Sequence, residues 1–533
     1  MDAAGITEAL NVSAGMVWSP LPWNEESIQE LELELERRLA FPWLSSKPVP
    51  TRRVCVVLLS NVSIPTTKIR WDTAAAMGVK VVVLSTGSWW KDDNGPCAHL
   101  REAFIDIDMT VDSGLSERIA NAVKLYPQPI DGIFAISDVL LIPVAEAATQ
   151  LGLWTSGPKP FTISTNKYLT RRILDPLSRE YFWVDSVQAL ETRLASSDPV
   201  NFPLVCKPFQ GRGSEGVFRA DNAAQLRHAV SRALASKNGA NVLVEPYVDG
   251  PEVDCNLVLL NGRILYSEVV DDFPCQADVA QDPSDKLFAE TEAVVPSRLP
   301  AFEQHAIIDA VLDAVLLQGF DTGVFHCEAR VRNSSMHYIV AEDATLPELE
   351  WNKKPIEITT ETPSIFLHEV NARIPGIASS AVSMLARGID FWTLQLLCAV
   401  SDWSRYEALS NPFGRDDRCD HAWLTNAREL VTPKGIEAMY PGIPLDLLNN
   451  KMVDSNHNPI RELAKSHGDL TKYVLRHYAN VKDAARYGFQ EGEWLWGGCM
   501  VIVSPISRQH ARHVAENIQD LYQDLVRQKY YVV

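Results

Sequence analysis

The sequence predicts an α/β and α+β multidomain fold: an open parallel-sheet domain near the N-terminus, a mixed α+β body and a C-terminal α/β extension. Three observations carry this. From Arg53 onward, short apolar runs alternate with helical patterns, as parallel βαβ units require. Within 253–270, two apolar runs are joined by Asn261-Gly262, the clearest hairpin signal in the chain. Beyond about residue 396, helices mix with one strand and a long final helix.

The elements follow in order. Residues 1–50 form an N-terminal extension, in which 27–39 reads as a charged amphipathic helix packed on the body. The first domain spans 51–160. It holds buried strands at 54–59, 79–85 and 131–137, and helices at 68–77, 116–124 and 144–151, the last opening after Pro143 and closing at Gly152. The body spans 161–395. It begins with a helix at 166–174, a strand at 203–208, a glycine-rich stretch and a strand at 217–220. A helix at 222–235 follows, with Asn222 and Gln225 placed as a capping pair, and then a strand at 241–248. After the hairpin come strands at 325–331 and 366–373, separated by a polar insertion, 333–363, with no clean period. The last segment, 396–533, carries a strand at 497–504 and a helix at 507–529.

The composition narrows the function classes. At 533 residues the chain is long enough for about three to four domains. A net charge of -19 argues against bulk attraction to nucleic acid or anionic lipid, while leaving room for a local basic pocket. The nine cysteines form no C-x-x-C pair, which reads as reduced thiols and a cytoplasmic location. No apolar run is long enough to span a bilayer, and residues 1–11 lack the pattern of a secretory signal.

The stretch 209–219 reads FQGRGSEGVFR. Gly211, Gly213 and Gly216 match the dinucleotide fingerprint, but that motif must turn from a strand directly into a helix. Here the loop runs into a β-like segment and is the tip of a hairpin. A P-loop is disfavoured too, because Val217 and Phe218 stand where Lys and Ser/Thr are required. A flexible hairpin can still hold phosphates through its N–H groups, with Arg212 adding charge. Lys207 ends an apolar strand, where its desolvation calls for an anion.

Strand alternation places Glu369, Asn371 and Arg373 on one face, and His326 with Glu328 on one face of another strand. If these strands are neighbours, Glu328, Glu369 and Asn371 make an all-oxygen set suited to magnesium. Taken alone, the E-x-N-x-R pattern is better described as an ion-paired surface face, with Arg373 bridging two glutamates. A zinc site built from His326, Cys327 and His368 conflicts with parity, since Cys327 faces away from His326 and His368 away from Glu369.

In combination, these motifs resemble the ATP-grasp superfamily over about residues 55–395. The ordered pieces are Asn166-Lys167-Tyr168, Lys207-Pro208 with the glycine hairpin, Glu245-Pro246-Tyr247-Val248 with Gly250-Pro251-Glu252, Glu328, and E-V-N-A-R-I-P-G at 369–376. The resemblance implies a two-lobed ATP-grasp fold preceded by a parallel-sheet domain, with a lid at about 171–243. It implies that Lys167 and Lys207 hold the α- and β-phosphates, and that the loop with Gly211, Arg212, Gly213, Ser214 and Gly216 closes over the triphosphate. Glu245 and the backbone of Tyr247 and Val248 meet adenine, and Glu252 meets the ribose. Glu328, Glu369 and Asn371 bind two magnesium ions, for which manganese is a candidate substitute. Arg373, with Lys207, stabilises the transferring phosphoryl group.

Within the superfamily, N-A-R-I-P-G followed by a large C-terminal segment looks most like the carboxylate–amine ligases related to bacterial dipeptide ligases and carnosine synthase. The implied reaction phosphorylates a carboxylate and couples it to an amine, with ADP and phosphate as products. The implied partners are small-molecule acids and amines, and a homodimer is left open. A carboxylase, a thioester-forming ligase and a nucleotide-binding protein without catalysis are the alternatives. On the substrate side, 374–380 follows the arginine. Arg387 and the tryptophans 351, 392, 494 and 496 are candidates for which a solvated helix arginine and core packing are the simpler accounts.

Overall fold

A computed structural model describes residues 51–59, 71, 73–87, 89–95, 98–211, 213–236, 238–279, 288–340, 346–352, 363–412, 421–430, 459–479 and 494–530. The N-terminal extension and Arg212 therefore lie outside the described residues.

The first domain is an all-parallel sheet. Its strands are β1 (Arg52–Val57), β2 (Val79–Ser85), β3 (Ala103–Asp106) and β4 (Gly132–Ala135), in the order β3-β2-β1-β4. The central strand β1 is covered on both sides, and Val54, Cys55, Val56 and Val57 are all fully buried, which explains its unbroken apolar run. Helices α1 (Leu115–Leu125) and α2 (Asp138–Leu151) pack against it. Strand β3 was not expected: AFID is short, lies at the sheet edge and is only half buried.

The expected helix start at Val144, just after Pro143, is corrected as well. Helix α2 begins six residues earlier, at Asp138, with Pro143 inside it. Proline removes one N–H there, yet Leu140, Leu141, Val144 and Ala145 are all buried on the sheet, and that packing holds the extra turn. Gly152 closes the helix in the left-handed region, as expected.

Helices α3 (Pro158–Ser164) and α4 (Lys167–Leu174) lead into the body. Asn166 caps α4, its side chain accepting from the N–H groups of Tyr168 and Leu169 at 3.1 and 3.0 Å. The segment expected to form the lid, about 171–243, contains β5 (Phe182–Val184), α5 (Val187–Leu194), β6 (Leu204–Pro208), β7 (Phe218–Ala220) and α6 (Ala223–Ala235), and β8 (Val242–Pro246) closes it. Its four strands pair antiparallel in the order β5-β8-β6-β7, with α5 and α6 burying one shared apolar core. Asn222 caps α6 at Ala224 and Gln225, while the Gln225 side chain accepts from Asp221 N–H at 2.6 Å.

The remaining strands build one large antiparallel sheet. They are β9 (Glu252–Leu260), β10 (Arg263–Asp272), β11 (Glu292–Val295), β12 (Gly323–Arg332), β15 (Ser364–Asn371), β16 (His421–Leu430), β17 (Val474–Ala479) and β18 (Trp494–Ser504). Their order is β15-β12-β9-β10-β11-β16-β18-β17. Asn261 and Gly262 make the β9–β10 turn with φ of 53° and 74°, as an Asn-Gly hairpin demands. The insertion after β12 is not featureless: β13 (Met336–Ile339) and β14 (Glu348–Trp351) pair as a separate two-stranded unit.

Helix α7 (Ala301–Gln318) covers one side of this sheet. Helices α8 (Ile377–Arg387), α9 (Phe391–Ala399) and α10 (Trp403–Leu409) follow β15, and α9 joins the sheet to the first domain through a core containing Trp71, Trp90, Phe134 and Trp392. The C-terminal segment supplies three strands to the main sheet rather than one, and α11 (Arg508–Tyr530) packs on them. Among the described residues, no helix is long and apolar enough to cross a membrane.

Candidate active site

A cleft lies between the lid sheet and the main sheet. Its walls include Lys167, Lys207, Gly211, Gly213, Ser214, Glu245, Tyr247, Val248, Glu252, Glu328 and Glu369, residues drawn from six elements and loops more than 200 positions apart in the chain. Gly216 does not line it. Its φ of 75°, and the 2.9 and 3.0 Å that a Cβ would leave to Ser236 Oγ and Pro208 Cγ, make it the glycine that shapes the turn. Ser214 also has a positive φ, 55°, and its carbonyl closes the loop on Val217 N–H at 3.1 Å.

The two carboxylate strands are neighbours, as the metal reading requires. Glu328 on β12 sits directly opposite Glu369 on β15, and His326 opposite Asn371. Asn371 Nδ2 donates to Glu328 Oε1 at 3.3 Å. Burial, and then the facing Glu369, push the Glu328 carboxyl up to about 8. Among the described residues, no three His, Cys, Asp or Glu side chains are arranged to hold a metal by themselves. Two carboxylates and an amide oxygen form an incomplete hard-oxygen shell, which phosphate oxygens can complete.

Parity fails at one place. The β12–β15 register skips His368, a β-bulge, so that His368 and Glu369 both line the cleft. The alternation argued for the zinc alternative is therefore corrected at that residue. Burial and four nearby cations, Lys207 first among them, hold the His368 imidazole neutral.

The cations of the site are each held by an acid. Lys167 Nζ lies 2.8 Å from Glu369 Oε1. Burial disfavours the ammonium, but Glu369 outweighs it and the pKa is raised. Lys207 Nζ lies 2.5 Å from Glu245 Oε1, and Arg171 Nε is 2.9 Å from Glu245 Oε2. Burial works against the Glu245 carboxylate, yet the two cations hold it below its ordinary range. Arg373 grips Asp138 with two hydrogen bonds, at 2.7 and 3.0 Å, and also donates to Ile374 O at 3.0 Å. Asn371 Oδ1 is 3.4 Å from the same guanidinium.

The hinge that follows β8 is partly committed. Tyr247 N–H donates to Pro203 O at 3.0 Å, and Val248 O accepts from Arg330 at 2.8 Å. Arg330 also binds Glu252, with Nε 2.8 Å from Oε2, and Asp278, and the Tyr247 hydroxyl donates to Asp278 at 2.8 Å.

Sequence reasoning missed six residues. Arg171 is one turn beyond Lys167 on the same helix face, a spacing that could have shown it. Arg330 and Asp254 share faces with Glu328 and Glu252 by simple alternation. Asp138 opens a helix at the carboxyl end of a parallel strand, where such sheets place ligands. Asp254, Asp272 and Glu290 extend the acidic wall, and burial together with neighbouring carboxylates pushes all three above their usual range. Trp392 is core, 2% exposed, whereas Trp351 is 55% exposed. The side chains of the tryptophans at 494 and 496 lie outside the described residues.

Residues 71–155 match the model of the ATP-grasp N-terminal domain, and residues 200–346 that of the ATP-grasp domain. Over 391 residues, 72% of this chain and 66% of the relative, the sequence is 35% identical to the ATP-grasp enzyme fsqD of Aspergillus fumigatus. Over 296 residues, 51% of this chain and 34% of the relative, it is 26% identical to carnosine synthase 1 of Homo sapiens. The chain thus spans less than two thirds of the length of either relative. The crystal structure of an L-amino acid ligase from Bacillus licheniformis has the same fold, with a TM-score of 0.59 over 89% of this chain and 98% of that one at 18% identity.

Proposed function

The chain belongs to the ATP-grasp family, and from that premise we propose that it is an ATP- and magnesium-dependent ligase that joins a small carboxylic acid to an amine through an acyl phosphate. One observation carries this: the facing pair Glu328–Glu369, with Asn371 and Arg373 next along the chain, shares a cleft with Lys167 and Lys207.

A carboxylate resists attack because its charge repels nucleophiles and its oxygen leaves badly. Phosphorylation removes both obstacles. Glu328, Glu369 and Asn371 would hold magnesium, which would supply charge neutralisation at the phosphate oxygens. Lys167, held by Glu369 in the free chain, turns to phosphate when that carboxylate is engaged elsewhere. Lys207 stays anchored by Glu245 and reaches the same phosphates. Adenine meets the hinge through the Tyr247 carbonyl and the Val248 N–H, and Glu252 meets the ribose.

Arg373 stabilises charge on the phosphoryl group in transit and then on the acyl phosphate. The amine attacks the activated carbonyl, the C–O bond breaks, and phosphate leaves. The lid with its glycine loop excludes water that would otherwise hydrolyse the intermediate.

The test is release of ADP and phosphate across a panel of carboxylic acids paired with amines. ADP and phosphate in equal amounts, dependent on both partners, support the reading. AMP and pyrophosphate would falsify it.

A further inference from the structure

One buried charge in the cleft has no part in the mechanism above. Arg330 on β12 is 3% exposed, lines the cleft and stands directly opposite Glu252 on β9. A guanidinium carries five N–H groups in a fixed plane and accepts nothing. Here all three nitrogens are engaged. Nη1 donates to Val248 O at 2.8 Å and lies 2.9 Å from Asp278 Oδ1. Nη2 donates to Asp278 Oδ2 at 3.0 Å. Nε and Nη2 both donate to Glu252, Nε at 2.8 Å. Asp278, on the short helix Gln276–Val279, is fixed in turn by the Tyr247 hydroxyl at 2.8 Å and the Cys275 N–H at 2.9 Å.

The way Glu252 is held separates this arrangement from a simple buried ion pair. An arginine that meets a carboxylate fork to fork places one donor on each oxygen. Arg330 places both donors on Oε2. Oε1 of Glu252 accepts no hydrogen bond among the described residues, and the side chain, 23% exposed, lines the cleft. A carboxylate oxygen so placed calls for a donor from a ligand. The adjacent guanidinium repels a metal ion there, whereas a neutral hydroxyl donor suits it. The same guanidinium grips the carbonyl of Val248, the hinge residue whose N–H faces adenine in the reading above. One rigid plane therefore sets the spacing between the hinge and the remaining oxygen of Glu252.

We propose that Arg330 is a positioning residue for nucleoside selection. It holds Glu252 through one oxygen and the hinge through Val248 O, and so presents Glu252 Oε1 to a ribose hydroxyl. The cleft is thereby selective for ribonucleotides over deoxyribonucleotides. This rests on the nucleotide reading of the cleft. A nucleotide lacking that hydroxyl leaves Oε1 against the bound sugar without a donor, and one hydrogen bond to a charged acceptor is lost.

Calorimetry on the full chain tests this, with Mg-ADP, Mg-2′-deoxyADP and Mg-3′-deoxyADP as the probes. The wild-type chain is expected to bind ADP at least about tenfold more tightly than one of the deoxy analogues, the worth of a hydrogen bond to a carboxylate. Arg330→Lys keeps the charge but cannot hold Glu252, Val248 and Asp278 together. It is expected to weaken ADP binding and to bring that ratio to within about threefold. An arginine with only a structural role would weaken all three nucleotides alike, so an unchanged ratio in Arg330→Lys overturns the proposal.

If Arg330→Lys does not fold, as judged by circular dichroism, Asp278→Ala carries the same readout. It removes the brace and leaves Arg330 beside Glu252. A reduced ratio supports the proposal and an unchanged one overturns it. Equal affinity of the wild-type chain for all three nucleotides overturns it too, while leaving the nucleotide reading in place. A wild-type chain that binds no Mg-ADP removes the nucleotide reading itself, and this proposal with it.

Discussion

In the free chain, Lys167, Lys207, Arg330 and Arg373 are each neutralised by an acid of the same site: Glu369, Glu245, Glu252 and Asp138. On the proposed function, nucleotide and metal binding at this site would be an exchange of partners rather than the filling of a charged hole. For Arg373→Ala the expectation is loss of turnover by about a thousandfold or more, because the charge it meets develops only during transfer, with ATP binding retained by calorimetry. Near-normal turnover would remove Arg373 from the chemistry. The acids with no Lys or Arg ion pair among the described residues make a second prediction. Glu328 moves from an ordinary 4.5 to about 8 in the folded chain, so the folded state holds the extra proton. Its stabilising share is complete below pH 4.5 and is lost as pH rises through about 8, with Asp254, Asp272 and Glu290 shifted in the same direction. The Tm of the nucleotide-free protein is expected to fall between pH 5 and 8.5 on this ground, and Mg-ADP to flatten the decline. A Tm that rises over this range in a way Glu328→Gln does not alter would contradict the assignment. The residue types at 328, 369 and 371 were legible because strand parity puts them together. His368 was not, because a bulge breaks parity without leaving a mark in the sequence.

At the scale of elements, the lid hangs on two points. Glu245 at the end of β8 ties Lys207 of β6 to Arg171 of α4, and Arg171 also donates to Leu367 O of β15 at 2.6 Å. Glu245→Leu leaves two buried cations unpaired and is expected to cost about 3–5 kcal/mol in urea unfolding. A loss below about 1 kcal/mol would show that the triad does not brace the hinge. The other point is the glycine turn. Gly216→Ala forces a side chain into a φ of 75° against Ser236 and Pro208, for an expected loss of about 1–3 kcal/mol and a raised KM for ATP. An unchanged KM would detach the loop from nucleotide binding. The hairpin at 261–262, the buried strands and the cap at Asn222 were all readable, since each rests on local chemistry. Strand β3 and the extra turn of α2 were not, because both depend on the surface they pack against.

The whole molecule is organised by one sheet. Eight antiparallel strands run from β15, which carries Glu369 and Asn371, to β17, so the C-terminal segment extends the same sheet that carries the candidate site. Arg508 at the start of α11 lies 2.8 Å from Asp271 and 3.0 Å from Glu348, securing that helix to β10 and β14. The sequence revealed the final helix but not this continuity, since strand order is set by long-range pairing that no local pattern records. The central claim for the assembled molecule is that the γ-phosphoryl group passes to a carboxylate before the amine attacks. It is tested most directly with an acid substrate labelled with 18O in its carboxylate. The expected result is one 18O in the inorganic phosphate released with ADP, because the bridging oxygen of the acyl phosphate departs when the amide forms. Unlabelled phosphate, or 18O recovered in AMP, would contradict it.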